Sequence, residues 1–96
     1  MVAAKGRMHT YAMTKTAAVE LAPQNIRVNV VFPGFIETEA MLHASSERRA
    51  ALLNTVPMKR IGVPREISAI VVFLASAESS YCTGGEYAVD GGVTSQ

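Results

Sequence analysis

Alternating apolar and polar residues predict two strands in this chain. From Ile26 to Phe32 apolar side chains recur at every second position, which is the period of a strand, and most of these residues have high β-propensity. Pro33 and Gly34 end the pattern, because proline cannot donate to a ladder and glycine favours turns. A second strand is predicted from about Glu86 to Asp90, where a pair of glycines follows.

Helical periodicity predicts three helices. The first runs from about Tyr11 to Ala22, with Thr10 as its N-cap, and stops because Pro23 disfavours helical backbone in the residue before it. The second is predicted from Ser45 or Ser46 to about Asn54, before a loop at residues 56–63. The third begins at Pro64, and an apolar stripe follows that would face a sheet: Ile67, Ile70, Val71 and Leu74.

The order of these elements predicts an α/β fold. A strand, a crossover helix and a second strand, separated by more than a dozen residues, form a right-handed βαβ unit with parallel strands. Parallel sheets are covered on both faces and are rarely built from two strands alone. We therefore expect the neighbouring strands of this sheet to lie outside the chain.

Composition argues against several classes of protein. With 49% hydrophobic residues, 18% charged residues and a net charge of +1, the chain resembles an ordinary globular protein, and its scattered basic residues argue against a nucleic-acid partner. The longest apolar run, Ala69 to Ala75, is far shorter than the roughly 20 residues that span a bilayer, so no membrane partner is expected. Cys82 is the only cysteine, which suits the cytoplasm, and His9 and His43 are too isolated to predict a metal site.

One pair of residues is a candidate for acid–base chemistry. Tyr11 and Lys15 are four positions apart, so on a helix they share a face. A carbonyl that accepts a hydride needs a proton at its oxygen, and a phenol next to an ammonium group can supply it. The alternative is a solvated helix face, on which tyrosine and lysine are common at this spacing.

Several short motifs follow this pair in a fixed order. They are Glu20-Leu21-Ala22-Pro23, Ile26-Arg27-Val28-Asn29, Pro33-Gly34, Thr38, Pro57 to Gly62, Phe73 to Ser76 and Val89 to Gly92. Together with the Tyr-x-x-x-Lys pair, they are similar to the C-terminal half of a short-chain dehydrogenase/reductase. The resemblance covers nearly the whole chain. It implies the C-terminal part of a Rossmann-like, doubly wound parallel sheet, in the order helix, strand, two helices, strand.

The same resemblance implies a reaction and a set of site residues. The reaction is hydride transfer between a nicotinamide cofactor, NAD or NADP, and a small carbonyl or alcohol substrate. Tyr11 would be the catalytic acid/base, and Lys15 would assist it and bind the nicotinamide ribose. Four further residues would contact the cofactor: Pro33, Gly34, Ile36 and Thr38. Each of these four also has a structural interpretation, as a generic turn, a core side chain or a helix cap.

Two departures from the family pattern limit what this chain is expected to do alone. It contains no glycine-rich phosphate loop and no catalytic serine, so we expect residues 1–96 to be a C-terminal segment without the cofactor-binding half. The segment from Lys15 to Glu20 is also shorter than the family's helix by about seven residues, which would misplace the catalytic pair. We therefore expect an oxidoreductase fragment that is inactive in isolation. The alternative is a noncatalytic module that associates with itself, as a homo-oligomer, or with an intact relative through residues 64–92.

Overall fold

The structure is a computed structural model that describes residues 2–96, with side chains from Arg7 onward. Within this range the helices and strands are α1 (Val2–Leu21), β1 (Val30–Pro33), α2 (Glu39–Leu42), α3 (Ser46–Thr55), α4 (Pro64–Ala75) and β2 (Glu86–Val89). Single turns of 3₁₀-helix lie at Ala22–Gln24, Ala77–Ser79 and Val93–Ser95. The predicted α/β order is confirmed, and α2 is an additional short helix.

Helix α1 begins well before the start predicted from the sequence. It starts at Val2 rather than at Tyr11, so Thr10 is an interior residue instead of the N-cap. The carbonyl of Thr10 accepts a hydrogen bond of 2.8 Å from the Thr14 hydroxyl. The predicted start was wrong because a single Gly6 is tolerated in a run without proline that is otherwise rich in good helix formers.

The other end of α1 lies where the sequence predicts it. Leu21 passes into a turn that contains Pro23, and Asn25 adopts left-handed backbone with a φ of 60°. The helix has 20 residues and is therefore about 30 Å long. Because α1 extends upstream of Tyr11, the short spacing from Lys15 to Glu20 does not make the helix itself short, and the spacing between the pair and the helix end stays as the sequence has it. Even so, no helix in the range 2–96 is both long and apolar enough to cross a membrane.

The two strands pair in parallel. The N–H of Val30 donates to the carbonyl of Gly85 at 3.0 Å, and the N–H of Gly34 donates to the carbonyl of Val89 at 2.9 Å. The two bonded residues are equally far apart in sequence in both bonds, which is the register of a parallel ladder. The predicted βαβ connection is thus confirmed, with strands of four residues each.

Strand β1 begins at Val30 rather than at the predicted Ile26, because a side chain satisfies backbone groups next to it. The amide of Asn29 donates to the carbonyl of Cys82 at 2.9 Å and accepts from the N–H of Gly85 at 3.0 Å. These bonds join the same two segments that a ladder would join. The apolar and polar alternation before Val30 therefore continues without regular strand pairing.

Side-chain caps fix the starts of α2 and α3. The Ser45 hydroxyl accepts from the N–H of Arg48 at 3.1 Å, which confirms the predicted start of α3. The Thr38 hydroxyl accepts from the N–H of Met41 at 3.3 Å and caps α2. Helix α2 is a single turn, so its four residues are too few to show a helical period in the sequence.

Helix α4 begins at Pro64, as predicted, and its apolar stripe is only partly covered. Ile67, Ile70 and Leu74 are half-buried, whereas Val71, predicted to face the sheet, is 48% exposed. The residues around the other side of the helix are also exposed: Ala69, Val72 and Phe73. A large part of this apolar helix therefore faces solvent in the single chain.

Contacts divide the chain into two compact units, each with a small core. One consists of the chain up to Phe32 together with Val71–Tyr87, and the other of Pro33–Ile70 together with Ala88–Gln96. Among the described side chains, the buried ones are Thr14, Ala18 and Ser79 in the first unit and Val56 and Ile61 in the second. So few buried side chains give either unit little hydrophobic stabilisation.

Polar contacts from Arg27 supplement the core of the first unit. Its guanidinium donates to the carbonyls of Leu74 at 2.8 Å, Ser76 at 3.2 Å and Cys82 at 3.3 Å. Leu74 and Ser76 lie at the end of α4, where backbone carbonyls lack helical partners and a cation is favourable. Arg27 therefore ties the end of α4 to the segment before β1.

Replacing Arg27 should destabilise the chain measurably. In Arg27→Met the three carbonyls lose their donor while the apolar stem is kept, and we expect the free energy of unfolding to fall by roughly 1–3 kcal/mol. Urea unfolding followed by circular dichroism measures the change. Arg48→Met, at an exposed position of α3, is the control and should change stability by less than about 0.5 kcal/mol. Equal effects of the two substitutions would contradict the structural role of Arg27.

Candidate functional site

Tyr11 and Lys15 both lie on α1, in the first unit, and they contact each other. The Lys15 Nζ is 5.0 Å from the centroid of the Tyr11 ring, which is a cation–π arrangement. Tyr11 is half-buried, whereas Lys15 is exposed. The structure therefore brings the two side chains together, and their catalytic role stays a prediction.

Tyr11 belongs to the packed side of α1. Buried or half-buried side chains recur along the helix at intervals of three or four residues: Arg7, Tyr11, Thr14, Ala18 and Leu21. Within this stripe the backbone of Gly84 approaches closely, since a Cβ added there would lie 3.4 Å from the Cβ of Ala18. Tyr11 thus lies on the packed side of α1, whereas the solvated-face interpretation applies to Lys15.

The length of α1 adds a second lysine to the candidates. Lys5 lies on the same helix, upstream of Tyr11. The pattern that the sequence resembles has more residues between its lysine and the Glu20 motif than separate Lys15 from Glu20, and Lys5 is farther from Glu20 than Lys15 is. Met1, rather than a tyrosine, stands four positions before it. Sequence reasoning missed Lys5 because the residues before Tyr11 show no apolar stripe that would predict a helix. Its side chain lies outside the described side chains.

The Pro33–Gly34 turn lies in the second unit, where the backbone approaches Asp90 closely. A Cβ added to Gly34 would lie 2.6 Å from the Cβ of Asp90, a distance that real side chains do not adopt. The close packing against Asp90 is therefore enough to require a glycine at position 34, whether or not this residue also contacts a ligand. Pro33 is exposed at the end of β1.

The backbone groups of Ile36 point away from its partner in a short β-bridge. It forms an isolated parallel bridge with Gly62, in which the N–H of Gly62 donates to the carbonyl of Phe35 at 2.9 Å and the N–H of Glu37 donates to the carbonyl of Gly62 at 2.8 Å. In a parallel bridge the N–H and C=O of the central residue point to the opposite side. Ile36 can therefore offer a donor and an acceptor to a ligand such as a carboxamide.

The Thr38 hydroxyl is the N-cap acceptor of α2, which is the structural alternative stated for this residue. Accepting from the N–H of Met41 occupies one lone pair of the oxygen. The hydroxyl hydrogen is not part of this bond and can still be donated. The capping role and a contact to a ligand are thus compatible.

A cavity of about 450 Å³ lies within the second unit. Its wall is mainly apolar and includes Ile36, Val56 and Val89. Arg60 and Glu66 supply charged groups at the same cavity. Such a cavity can accommodate an apolar group next to a neutralised pair of charges.

The Arg60–Glu66 pair was not predicted from the sequence. Arg60 donates to the two carboxylate oxygens of Glu66 at 2.9 and 2.6 Å, and the N–H of Val63 donates to one of them at 2.9 Å. The Arg60 guanidinium, followed by the Val63 N–H, lowers the pKa of Glu66 from its usual 4.5 to about 2. The signal in the sequence is a glutamate at the third position of α4, where a side chain can reach back to the N-cap backbone.

A second ion pair orients the segment around Thr38. Arg49 donates to the two carboxylate oxygens of Glu37 at 2.7 and 3.0 Å and to the carbonyl of Met41 at 3.1 Å. The Arg49 guanidinium therefore holds the pKa of Glu37 below its usual value. These bonds join α3 to the residue before Thr38 and to α2 itself, and so restrain the position of Thr38.

Comparisons with known proteins identify the relatives of this arrangement. The model of the enoyl-(acyl carrier protein) reductase family matches residues 1–94. The 3-oxoacyl-(acyl-carrier-protein) reductase FabG of Thermotoga maritima is 49% identical over 81 residues, which cover 84% of this chain and 33% of that protein. The crystal structure of a short chain dehydrogenase family protein from Francisella tularensis superposes with a TM-score of 0.83 at 35% identity, covering 92% of this chain and 41% of that one.

A second solved structure is similar in the same way. YwfH, described as an NADPH dependent reductase involved in bacilysin biosynthesis, superposes with a TM-score of 0.79 at 36% identity, covering 86% of this chain and 35% of that one. The chain thus spans about one third of the length of the curated relatives that it matches. Its α/β arrangement is that of part of a Rossmann fold.

The carboxyl group of Glu66 should titrate at an unusually low pH. Because its pKa in the folded chain is about 2, below the usual 4.5, its ion pair stabilises the fold fully above about pH 4.5, and this stabilisation is lost as the pH falls towards 2. Carbon-13 NMR of the Glu66 carboxyl measures the midpoint. We expect Arg60→Met to raise it towards 4.5, whereas Arg65→Met, which removes a weaker influence, should raise it much less. A wild-type midpoint near 4.5 would contradict the geometry of the pair.

Proposed function

Since this chain belongs to the short-chain dehydrogenase/reductase family, we propose that it is part of an NAD(P)-dependent oxidoreductase that transfers a hydride between the nicotinamide and a small carbonyl or alcohol substrate. The family match over residues 1–94 is the observation that carries the proposal. The printed names of FabG and YwfH, a 3-oxoacyl reductase and an NADPH dependent reductase, support the same reaction class. A single cysteine suits the reducing cytoplasm, which is where we place the protein.

In this proposal the pair on α1 handles the proton. When bound, the nicotinamide would supply a hydride to the carbonyl carbon, and the substrate oxygen would need one proton. Tyr11 donates it, and Lys15, whose ammonium lies over the Tyr11 ring, favours the negative charge left on the phenol oxygen. In the direction of alcohol oxidation Tyr11 takes the proton back. The half-buried position of Tyr11 supports this role, since packing keeps the donor in place.

The length of α1 supports a second candidate for the lysine. If the family motif lies farther upstream on this helix, Lys5 takes the role that we assign to Lys15, and Tyr11 is a packing residue. The two candidates are ten positions apart on one helix, so they cannot both face the same substrate. Substitutions at the two lysines separate these alternatives.

The residues at the end of β1 and just after it fit a nicotinamide in this proposal. Ile36 offers its N–H and C=O to the carboxamide, Thr38 offers its hydroxyl hydrogen, and Pro33 and Gly34 bring backbone close to the ring. The 96 residues contain no glycine-rich loop for the pyrophosphate, so other residues must bind the phosphates. We therefore propose that this chain alone does not catalyse turnover, and that the domain is the C-terminal segment of a longer catalytic unit.

An alternative function is that of a noncatalytic module that associates with itself or with an intact relative. The exposed apolar residues of α4 favour it, since Val72 is 67% exposed and Phe73 is 38% exposed. Helices that are apolar on both sides are usually covered on both sides. A homo-oligomer formed through residues 64–92 would cover this surface by placing the same patch of two chains across a twofold axis.

A chimera tests the proposed reaction. The part of Thermotoga maritima FabG that precedes its own counterpart of helix α1 would be joined to residues 1–96, and NADPH consumption would be followed with a panel of ketones. We expect turnover, and we expect Tyr11→Phe and Lys15→Ala to lower kcat by about 100-fold or more, because they remove the proton donor and its charge partner. The 96-residue chain alone is the control and should show no appreciable binding of NADH or NADPH at micromolar concentrations.

The variants of the chimera distinguish the candidates. A loss of rate in Lys5→Ala, with Tyr11→Phe and Lys15→Ala close to the parent chimera, would assign the lysine role to Lys5 and contradict Tyr11. No turnover in a folded chimera would contradict the oxidoreductase proposal. Saturable binding of NADPH by the chain alone would contradict the need for a separate phosphate site.

Self-association should depend on the exposed face of α4. In Phe73→Glu a charge would be buried in the proposed interface, so we expect the wild type to sediment as an oligomer and this variant as a smaller species. Leu42→Glu is the matched control, because Leu42 is 65% exposed on α2, outside residues 64–92, and its substitution should leave the oligomer intact. A monomeric wild type, or equal dissociation in both variants, would exclude this surface as the interface.

A further inference from the structure

Arg7 makes two different contacts within the first unit. Its Nε donates to Oε1 of Glu86 at 2.7 Å, and its Nη2 contacts the same oxygen. The guanidinium carbon also lies 4.4 Å from the centroid of the Phe32 ring. Because Arg7 is on α1, Phe32 is in β1 and Glu86 opens β2, one side chain links three elements of the fold.

These contacts are partly protected from water. The side chains of Arg7 and Glu86 are 28% and 27% exposed, so their attraction is screened less than that of a fully exposed ion pair. A planar guanidinium can stack its face on an aromatic ring while its N–H groups donate in the plane. Lysine at the same position would keep the charge but could not make both contacts with the same geometry.

The position of Arg7 on α1 connects these contacts to the proposed chemistry. Arg7 lies one helical turn before Tyr11, on the same packed stripe. Farther along the helix the stripe is packed through the buried Thr14 and Ala18. Arg7 therefore attaches the half of α1 that precedes Tyr11, so that the tyrosine lies between two points of attachment to the rest of the first unit.

We propose that Arg7 is a positioning residue, which fixes the part of α1 that carries Tyr11 against β1 and β2 through Phe32 and Glu86. The chemical purpose of this positioning rests on the proposed function, in which a residue of α1 transfers the proton. The attachment itself does not depend on that function. Measurements on the 96-residue chain without cofactor can therefore test it separately.

Hydrogen exchange and tyrosine NMR of the full chain test the proposal. We expect Arg7→Met and Glu86→Gln to speed amide exchange in the first half of α1 by about fivefold, because both remove the ion pair and the first also removes the stack. The carbon-13 signal of the Tyr11 ring, assigned with Tyr11→Phe, should move in both variants. Glu86→Gln keeps the charge of Arg7 on α1, so a shift there does not come from loss of the Arg7 charge, and Arg7→Lys should restore the wild-type signal in part.

A matched control uses the ion pair of the second unit. Glu66→Gln breaks the pair with Arg60 and should leave the exchange of α1 and the Tyr11 signal unchanged. If Arg7→Met does not fold, the isosteric Glu86→Gln still decides the outcome. An unmoved Tyr11 signal in Glu86→Gln, or faster exchange spread equally over α1 and α3, would overturn the proposal and leave Arg7 a purely stabilising role. Failure of the FabG chimera to turn over would contradict the proposed function without affecting this result.

Discussion

Parallel pairing of β1 with β2 is the interaction on which the remaining structure depends. The two strands have four residues each and are separated in sequence by α2, α3 and α4. A ladder this short provides few backbone bonds, so side chains extend the connection on one side of it. Asn29 and Arg27 bind the segment before β2, and Gly34 allows the chain after β1 to pass against Asp90. The result is a pair of strands whose register is held by specific polar contacts as well as by the ladder.

The sequence predicts the fold best where a local signal is strong. Proline at position 64 and the serines before α3 gave correct helix starts, and the terminal glycines marked the end of β2. The start of α1 was missed because its upstream half has no apolar stripe, and the short α2 was missed because one turn has no period. The ion pairs of Glu37, Glu66 and Glu86 join residues that come close only when the chain folds. Of the three, the sequence offers a local clue to the pair of Glu66 alone, in the spacing of Val63 and Glu66.

The candidate site shows a similar division. The spacing of Tyr11 and Lys15 predicted their contact, and the structure has it. Which of Lys5 and Lys15 belongs to the family motif depends on where α1 begins, and periodicity does not reveal that. Small cores and a half-covered α4 accompany these features. The chain matches one third of its relatives' length. Small cores and an exposed apolar helix face are expected of a segment whose surfaces pack against other parts of a larger fold.

The cap of α2 has a consequence for how mutational data on this site would be interpreted. Thr38 uses its oxygen to begin a helix of four residues, and the same hydroxyl is a proposed contact to the cofactor. Replacing it with valine removes both at once, so a loss of affinity could come from an unwound turn as easily as from a lost donor. Serine keeps the hydroxyl group but rotates more freely about its Cα–Cβ bond. It therefore separates the effect of the hydroxyl from the effect of a rigid side chain. Removing the Thr38 hydroxyl therefore changes local folding and ligand recognition together. A conservative replacement that keeps the hydroxyl can separate the two effects.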